Sequence, residues 1–212
     1  MKFYAIVLAA GKSRRMGEGT NKLLLPLRGK TVIENTLDFF CKDERLSGIL
    51  VVTSDPFIEA LAVDRGCRVV AGGEERQESV LKGLALLDND DYAFIHDGAR
   101  PFLSDALFDR CFAEAKSGRA FIPGIPVTDT LKLVQNGQVE ATLNRDSHIL
   151  VQTPQGSPVG RLKEAYALVK EQGFFVTDDS SALELLGETV YVIEGSEDNR
   201  KITSPADMRY LK

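Results

Sequence analysis

Short apolar runs of strand length alternate with segments of helical spacing from the first residues of the chain onward. Phe3 to Leu8, Ile49 to Thr53, Arg68 to Ala71, Tyr92 to His96 and Ala120 to Pro123 read as strands. Between them, Val32 to Phe40, Pro56 to Asp64, Gln77 to Leu87 and Ser104 to Lys116 place apolar residues on one helical face, as at Ile33, Leu37 and Phe40. Strand, helix, strand repeated this often predicts an α/β fold, a doubly wound, mostly parallel sheet with helices on both faces. Right-handed crossovers in such a sheet put the ligand-binding loops at the carboxyl ends of the strands.

The alternation breaks after Pro126. Thr128 to Val134 and Val139 to Leu143 flank Gln135-Asn136-Gly137-Gln138, and Asn-Gly between two β-rich runs predicts a hairpin. An inserted hairpin must bury its apolar side somewhere, so residues 128–148 are expected to form a protruding arm that docks on a second copy of the chain. The pattern then resumes with helices from Arg161 to Gln172 and Ser180 to Leu186, a strand from Thr189 to Glu194 and a terminal helix from Pro205. Neither a repeat nor a linker interrupts it, so residues 1–212 read as one domain.

Bulk composition narrows the classes. A chain of 212 residues suits one α/β domain that buries roughly 70% of its unfolded surface. Hydrophobic content of 43% and charged content of 27% are ordinary for a folded soluble protein and exclude the disordered classes. No apolar stretch approaches the ~20 residues that span a bilayer. Lys2 and the run Phe3 to Ala10 have the outline of a secretory signal, but Gly11-Lys12-Ser13-Arg14-Arg15 follows directly, as where a strand enters a loop. Cys41, Cys67 and Cys111 are odd in number, widely spaced and embedded in apolar patterns, which fits buried reduced thiols in a cytoplasm.

Net charge of −5 argues against a nucleic-acid binder with a general basic face. Yet Lys12, Arg14, Arg15, Lys22, Arg28 and Lys30 cluster against the single acid Glu18, so an acidic protein has gathered positive charge in one segment. A small polyanion is the natural partner. Leu8 to Gly17 leaves the first strand through small residues whose bare N–H groups can approach phosphate. Gly11-Lys12-Ser13 has the look of a P-loop tail, but the motif's first glycine would fall at Ile6. Glycines 11, 17 and 19 do not fit a dinucleotide fingerprint either. What remains is a long loop from which Arg15 and Lys22 reach the same phosphates.

At this point the sequence resembles known families. Leu8-Ala9-Ala10-Gly11, then Arg15-Met16-Gly17 and Lys22, is similar to the signature of sugar-nucleotide pyrophosphorylases, which have a Rossmann-like nucleotidyltransferase fold. Five further motifs follow in order: Gly72-Gly73-Glu74-Glu75-Arg76-Gln77-Glu78-Ser79-Val80; His96-Asp97-Gly98-Ala99-Arg100-Pro101-Phe102; Asp129-Thr130; Gln152-Thr153-Pro154-Gln155; and Thr177-Asp178-Asp179. With Asp198-Asn199-Arg200-Lys201-Ile202-Thr203, the set resembles the 2-C-methyl-D-erythritol 4-phosphate cytidylyltransferase family over nearly the whole chain.

That resemblance implies cytidylyl transfer from CTP to a sugar-alcohol phosphate, with Mg²⁺, by a homodimer. The nucleophile, a phosphate monoester oxygen, is already anionic, so alignment and charge neutralisation at the α-phosphorus carry catalysis. Arg15 and Lys22 are the expected transition-state cations. Ala9, Ala10, Gly11, Gly73, Ser79, Asp97 and Gly98 are the expected CTP contacts. Asp97, at a strand end where a bare carboxylate is costly, is the expected Mg²⁺ ligand; pairing with Arg100 is its alternative. His96 is read as structural. Arg145 and Lys201 would hold the acceptor phosphate with help from Arg100, Thr130, Thr153 and Thr177, Arg145 entering the site of the partner subunit. Two departures bear on this. Asn21-Lys22-Leu23 stands where many family members have Pro-Lys-Gln, and Asn144-Arg145 stands where Asp-Arg is frequent. A ribitol 5-phosphate cytidylyltransferase and a non-catalytic nucleotide-binding regulator are the alternative readings.

Overall fold

The computed structural model describes residues 1–11, 21–204, 206, 207 and 209. In chain order its elements are β1 (Phe3–Leu8), a 3-10 turn at Lys22–Leu24, β2 (Pro26–Leu27), β3 (Lys30–Thr31), α1 (Val32–Cys41), β4 (Gly48–Val52), α2 (Pro56–Asp64), β5 (Arg68–Val70), α3 (Arg76–Leu84), β6 (Tyr92–Asp97), α4 (Asp105–Lys116), β7 (Ala120–Pro126), β8 (Leu131–Gln135) and β9 (Gln138–Leu143). A second 3-10 turn at Arg145–Ser147 leads to β10 (Ile149–Val151), β11 (Gln155–Pro158), α5 (Val159–Gln172), α6 (Asp179–Leu185) and β12 (Val190–Glu194).

The main sheet runs β5-β4-β1-β6-β11-β7-β10, with β12 paired to β7. β1 is parallel to both β4 and β6, whereas β11 is antiparallel to β6 and β7. Strand alternation divides the core in two. Ala5 and Val7 of β1 and Tyr92 and Phe94 of β6 point to one face, where α1, α2 and α4 pack. Ile6, Ala93 and Ile95 point to the other, against α3, α5 and α6. Phe94 sits at the centre of the first cluster, its ring against Phe3, Tyr92, Phe108, Phe112 and Phe121.

The expected doubly wound architecture is therefore present, with differences at its weak signals. β10 and β11 carry no alternation visible in sequence: Gln155-Gly156-Ser157-Pro158 is polar and broken by glycine and proline, and only its neighbours make it a strand. α3 begins at Arg76 and ends at Leu84, three residues short of the expected Leu87. The helix expected from Pro205 falls mostly outside the described residues. The arm forms as expected: Asn136 and Gly137 both have positive φ, 51° and 77°, in a two-residue turn closed by the Gln135–Gln138 pair. Its two strands pair only with each other. No described helix is long and apolar enough to cross a membrane.

Candidate active site

A cavity of about 380 Å³ opens at the carboxyl ends of β1, β5 and β6. Three loops leave those strand ends side by side and form its walls. Ala10 and Gly11 follow β1, and Gly73, Glu74 and Glu75 precede α3. The walls touch: a Cβ on Gly72 would lie 2.3 Å from the Cβ of Ala10, so only glycine permits this approach. The Gly72–Glu74 segment is pinned by α3 before any ligand arrives. Ser79 Oγ accepts the Gly73 N–H at 3.0 Å, Glu78 accepts the Glu74 N–H at 2.8 Å, and Lys82 Nζ donates to the Gly72 carbonyl at 2.7 Å.

Lys22 projects into the same cavity. Its backbone is fixed by Asn21, whose Oδ1 accepts the Leu23 N–H at 3.1 Å and whose Nδ2 donates to Asp55 at 2.6 Å. Asp55 in turn caps α2 through the Phe57 N–H. Leu23 is 3% exposed and anchors the turn in the core. Asn21 and Leu23, the first departure from the family pattern, thus hold Lys22 in place. Arg15 lies outside the described residues, as does the rest of the basic segment at 12–20.

Asp97, at the end of β6, also lines the cavity. Its Oδ2 lies 2.7 Å from Lys201 Nζ and 3.7 Å from Arg100 Nε. Burial pushes its pKa up, but Lys201, Arg76 and Arg100 together outweigh burial and hold the carboxyl well below the usual range. The pairing with Arg100 is the longer contact, and Lys201 is the principal partner. Lys201 therefore shares the cavity with Lys22 rather than standing apart with Arg145. Its segment is threaded into the fold by distant residues: Gln152 binds both Ser196 backbone groups, Arg100 Nη1 donates to the Asn199 carbonyl at 2.7 Å, and Asn199 Nδ2 donates to the Thr153 carbonyl at 2.8 Å.

Ala9, Gly98 and Thr153 lie beneath the cavity, not in it. The Ala9 N–H donates to the Val52 carbonyl and the Gly98 N–H to the Leu8 carbonyl, at 2.8 and 2.9 Å. His96 Nε2 is 3.1 Å from the Arg100 carbonyl, which only accepts, so Nε2 carries the proton and Nδ1 is bare. The Thr153 hydroxyl donates to that Nδ1 at 3.0 Å and its oxygen accepts the Asp97 N–H at 3.1 Å. The fully buried imidazole is thus a neutral spacer that fixes the strand end carrying Asp97.

Burial lowers the pKa of His96 to about 4, against about 6.5 for a free imidazole. Above pH ~6.5 the ring is neutral in both folded and unfolded chains; between ~6.5 and ~4 only the unfolded chain takes up the proton. Unfolding free energy is therefore expected to fall by up to about 3 kcal/mol across that window and to level off below it. Denaturant unfolding at pH 7 and 4.5 measures the drop. An unchanged drop in His96→Gln would assign it to other groups.

Arg145, Thr130 and Thr177 are exposed and away from the cavity walls of the single chain. Arg145 stands at the foot of the arm, where Nη1 donates to the Thr128 carbonyl at 2.6 Å. Asn144, the second departure from the family pattern, caps the turn by accepting the Asp146 N–H at 3.1 Å. Thr177 precedes α6, capped by Asp178.

One residue with no role assigned from sequence proves central. Arg76 lines the cavity and grips Asp179 with two hydrogen bonds of 3.1 and 2.5 Å. Asp179 also accepts the Tyr166 hydroxyl at 2.7 Å, and its N–H donates to Gln155. Arg76 and Asp179 are 103 residues apart, so no sequence spacing announces the pair.

The family model for 2-C-methyl-D-erythritol 4-phosphate cytidylyltransferase matches residues 3–211. A protein of that name from Gloeobacter violaceus is 44% identical, covering 97% of this chain and 92% of its own. Another from Geobacillus kaustophilus is 40% identical, covering 100% and 96%. The crystal structure of the Francisella tularensis enzyme superposes with a TM-score of 0.85 at 34% identity, covering 99% of this chain and 98% of that one. The mixed sheet, the cavity at its carboxyl edge and these likenesses coincide over the same residues, and the chain belongs to the 2-C-methyl-D-erythritol 4-phosphate cytidylyltransferase family of nucleotidyltransferases.

Proposed function

We propose that the protein transfers the cytidylyl group of CTP to 2-C-methyl-D-erythritol 4-phosphate, giving 4-diphosphocytidyl-2-C-methyl-D-erythritol and pyrophosphate. The observation that carries this reading, beyond family membership, is the convergence of Lys22, Lys201 and Asp97 with the pinned Gly73–Ser79 loop in one cavity. An oxygen of the acceptor's phosphate attacks the α-phosphorus, and the bond to the pyrophosphate oxygen breaks. The attacking oxygen carries no proton that a base must remove, so cations and alignment supply the acceleration. Arg15 and Lys22 neutralise charge on the triphosphate. Ser79 and the Gly73 backbone face the nucleoside, and Asp97 with Lys201 closes the phosphate end.

The donor set suits a divalent cation held largely by phosphate oxygens. Asp97 is a single carboxylate, and no group of three or more metal-binding side chains occurs among the described residues. Mg²⁺ commonly binds through one or two carboxylates plus substrate phosphates and water. Asp97 would hold it, and the ion would supply charge neutralisation on the triphosphate when bound. Unpaired Cys41, Cys67 and Cys111 suit a reducing cytoplasm.

The acceptor side is read as completed by a second subunit. Leu133, Val134, Val139 and Leu150 on the arm and β10 are 47–62% exposed, an apolar ribbon that a two-stranded sheet does not cover itself. A homodimer that packs this ribbon would carry Arg145 and Thr130 towards the partner's cavity, with Lys201 and Thr177 on the receiving side and Thr153 fixing Asp97 from beneath. An inactive Lys22→Ala chain mixed with an inactive Arg145→Ala chain is then expected to regain part of the activity, because one site in a mixed dimer keeps both residues. Absence of rescue in verified mixed dimers would remove the arm from catalysis.

Pyrophosphate release from CTP with methylerythritol phosphate and with ribitol 5-phosphate tests the substrate. Turnover only with ribitol phosphate would replace the acceptor, and tight CTP binding without pyrophosphate from any polyol phosphate would make the protein a regulator.

A further inference from the structure

At the opposite end of the sheet from the cavity, two cysteines meet. Cys41 is the last residue of α1 and Cys67 immediately precedes β5, and their Sγ atoms are 3.8 Å apart. Against the expectation of three buried thiols, Cys41 is exposed because it closes the outer end of α1, whereas Cys67 is 8% exposed beneath it. Both thiols are free, and the third cysteine, Cys111, is buried in α4. The sulfurs thus stand within about 2 Å of the ~2 Å bond length of a disulfide.

The surroundings favour reaction at Cys41. Arg65 is locked by Asp38 (Nε at 2.8 Å), Glu34 (Nη2 at 3.1 Å) and the Leu61 carbonyl (Nη1 at 3.1 Å), so a fixed guanidinium is bound to Asp38, one helical turn before Cys41 on α1. The Cys67 thiol hydrogen-bonds the Cys41 sulfur and, with Arg65, holds the Cys41 thiol below its ordinary pKa against burial and Asp38. Cys67 is pushed up in consequence, first by that hydrogen bond and then by burial. An attacking sulfur at the surface and a resolving sulfur behind it are the parts of a reversible redox pair.

We propose that Cys41 and Cys67 are a peroxide-oxidisable dithiol that closes to a disulfide and fastens α1 to the β5 edge of the sheet. The Cys41 thiolate attacks a peroxide oxygen, breaking the O–O bond; the displaced hydroxide takes up a proton as water and leaves Cys41 as its sulfenic acid. Cys67 sulfur then attacks Cys41 sulfur, the S–S bond forms, and the sulfenic oxygen departs with the Cys67 proton as a second water. Two thiols are oxidised by two electrons and one peroxide is reduced. The resolving step keeps Cys41 from the irreversible sulfinic acid. Cys67 stands at the amino end of β5, which spans ~10 Å before the chain turns towards the Gly73 wall, so the pair lies at the strand end opposite the cavity and is none of its lining residues.

The test is mild hydrogen peroxide on the full-length protein, read by intact mass, peptide mapping, thermal melting and pyrophosphate release. The expected result is loss of two hydrogens (about 2 Da), a Cys41–Cys67 linked peptide and reversal by dithiothreitol. Closing a loop whose ends are 26 positions apart is expected to raise Tm by about 5–10 °C, with activity within about twofold of the reduced protein. Cys41→Ser, a conservative change at an exposed site, is expected to abolish both the mass change and the Tm rise, and Cys67→Ser to leave Cys41 as sulfenic or sulfinic acid. Peroxide leaving wild-type mass unchanged, Cys41 halting as a sulfur acid with Cys67 intact, or disulfides forming only between chains would each overturn the proposal.

Discussion

Lys22→Ala is expected to lower kcat by roughly 10³-fold or more while CTP binding weakens far less. The magnitude follows from phosphoryl-transfer sites in which one removed cation costs roughly 10³ to 10⁵ in rate. The lysine can produce an effect of this size because its ammonium stands on a turn held by Asn21 and a buried Leu23, in a cavity shared with Lys201 and the carboxylate of Asp97. A cation so fixed neutralises charge as it develops without first losing its own freedom. Arg15→Ala is expected to behave alike. Rapid-quench measurement of the chemical step separates kcat from binding, and a Lys22→Ala enzyme with unaltered kcat would remove this lysine from the transition state.

The second large effect concerns stability. Asp179→Ala is expected to destabilise the fold by about 3–5 kcal/mol, because it strands a largely buried guanidinium and a buried hydroxyl in one step. Arg76 keeps 27% of its side-chain exposure and Asp179 2%, so water reaches only the cavity end of the pair. For a chain of this size the loss corresponds to a Tm drop of roughly 6–20 °C, read by calorimetry. Tyr166→Phe removes one hydrogen bond without stranding a charge and is expected to cost only about 1–2 kcal/mol. Equal costs for the two variants would show that the ion pair adds nothing beyond the hydroxyl contact. Since Arg76 lines the cavity while Asp179 begins α6, loss of the pair also loosens the segment that carries Thr177.

Much of this site was legible before folding was considered. Charge clustered between Lys12 and Lys30, glycines stood where loops had to come close, and an Asn-Gly turn announced the arm, because each is a local property of a few residues. The apolar runs of β1 and β6 likewise predicted two buried strands, and both lie in the core. Distant pairings were not legible. β11 has no alternating pattern and becomes a strand only between β6 and β7, Arg76 finds Asp179 across 103 positions, and Lys201 reaches Asp97 through a segment threaded by Gln152, Arg100 and Thr153.

The sequence by itself determined the alternation of strands and helices, the clustering of positive charge after β1 and the family. Only the tertiary structure decided that Lys201 belongs to the cavity of Lys22 and that Thr153 supports Asp97 from beneath. The physical reason is the range of the forces involved. Periodicity and turn chemistry act over a few residues, whereas which cation balances a buried carboxylate depends on where the whole chain brings its far segments to rest.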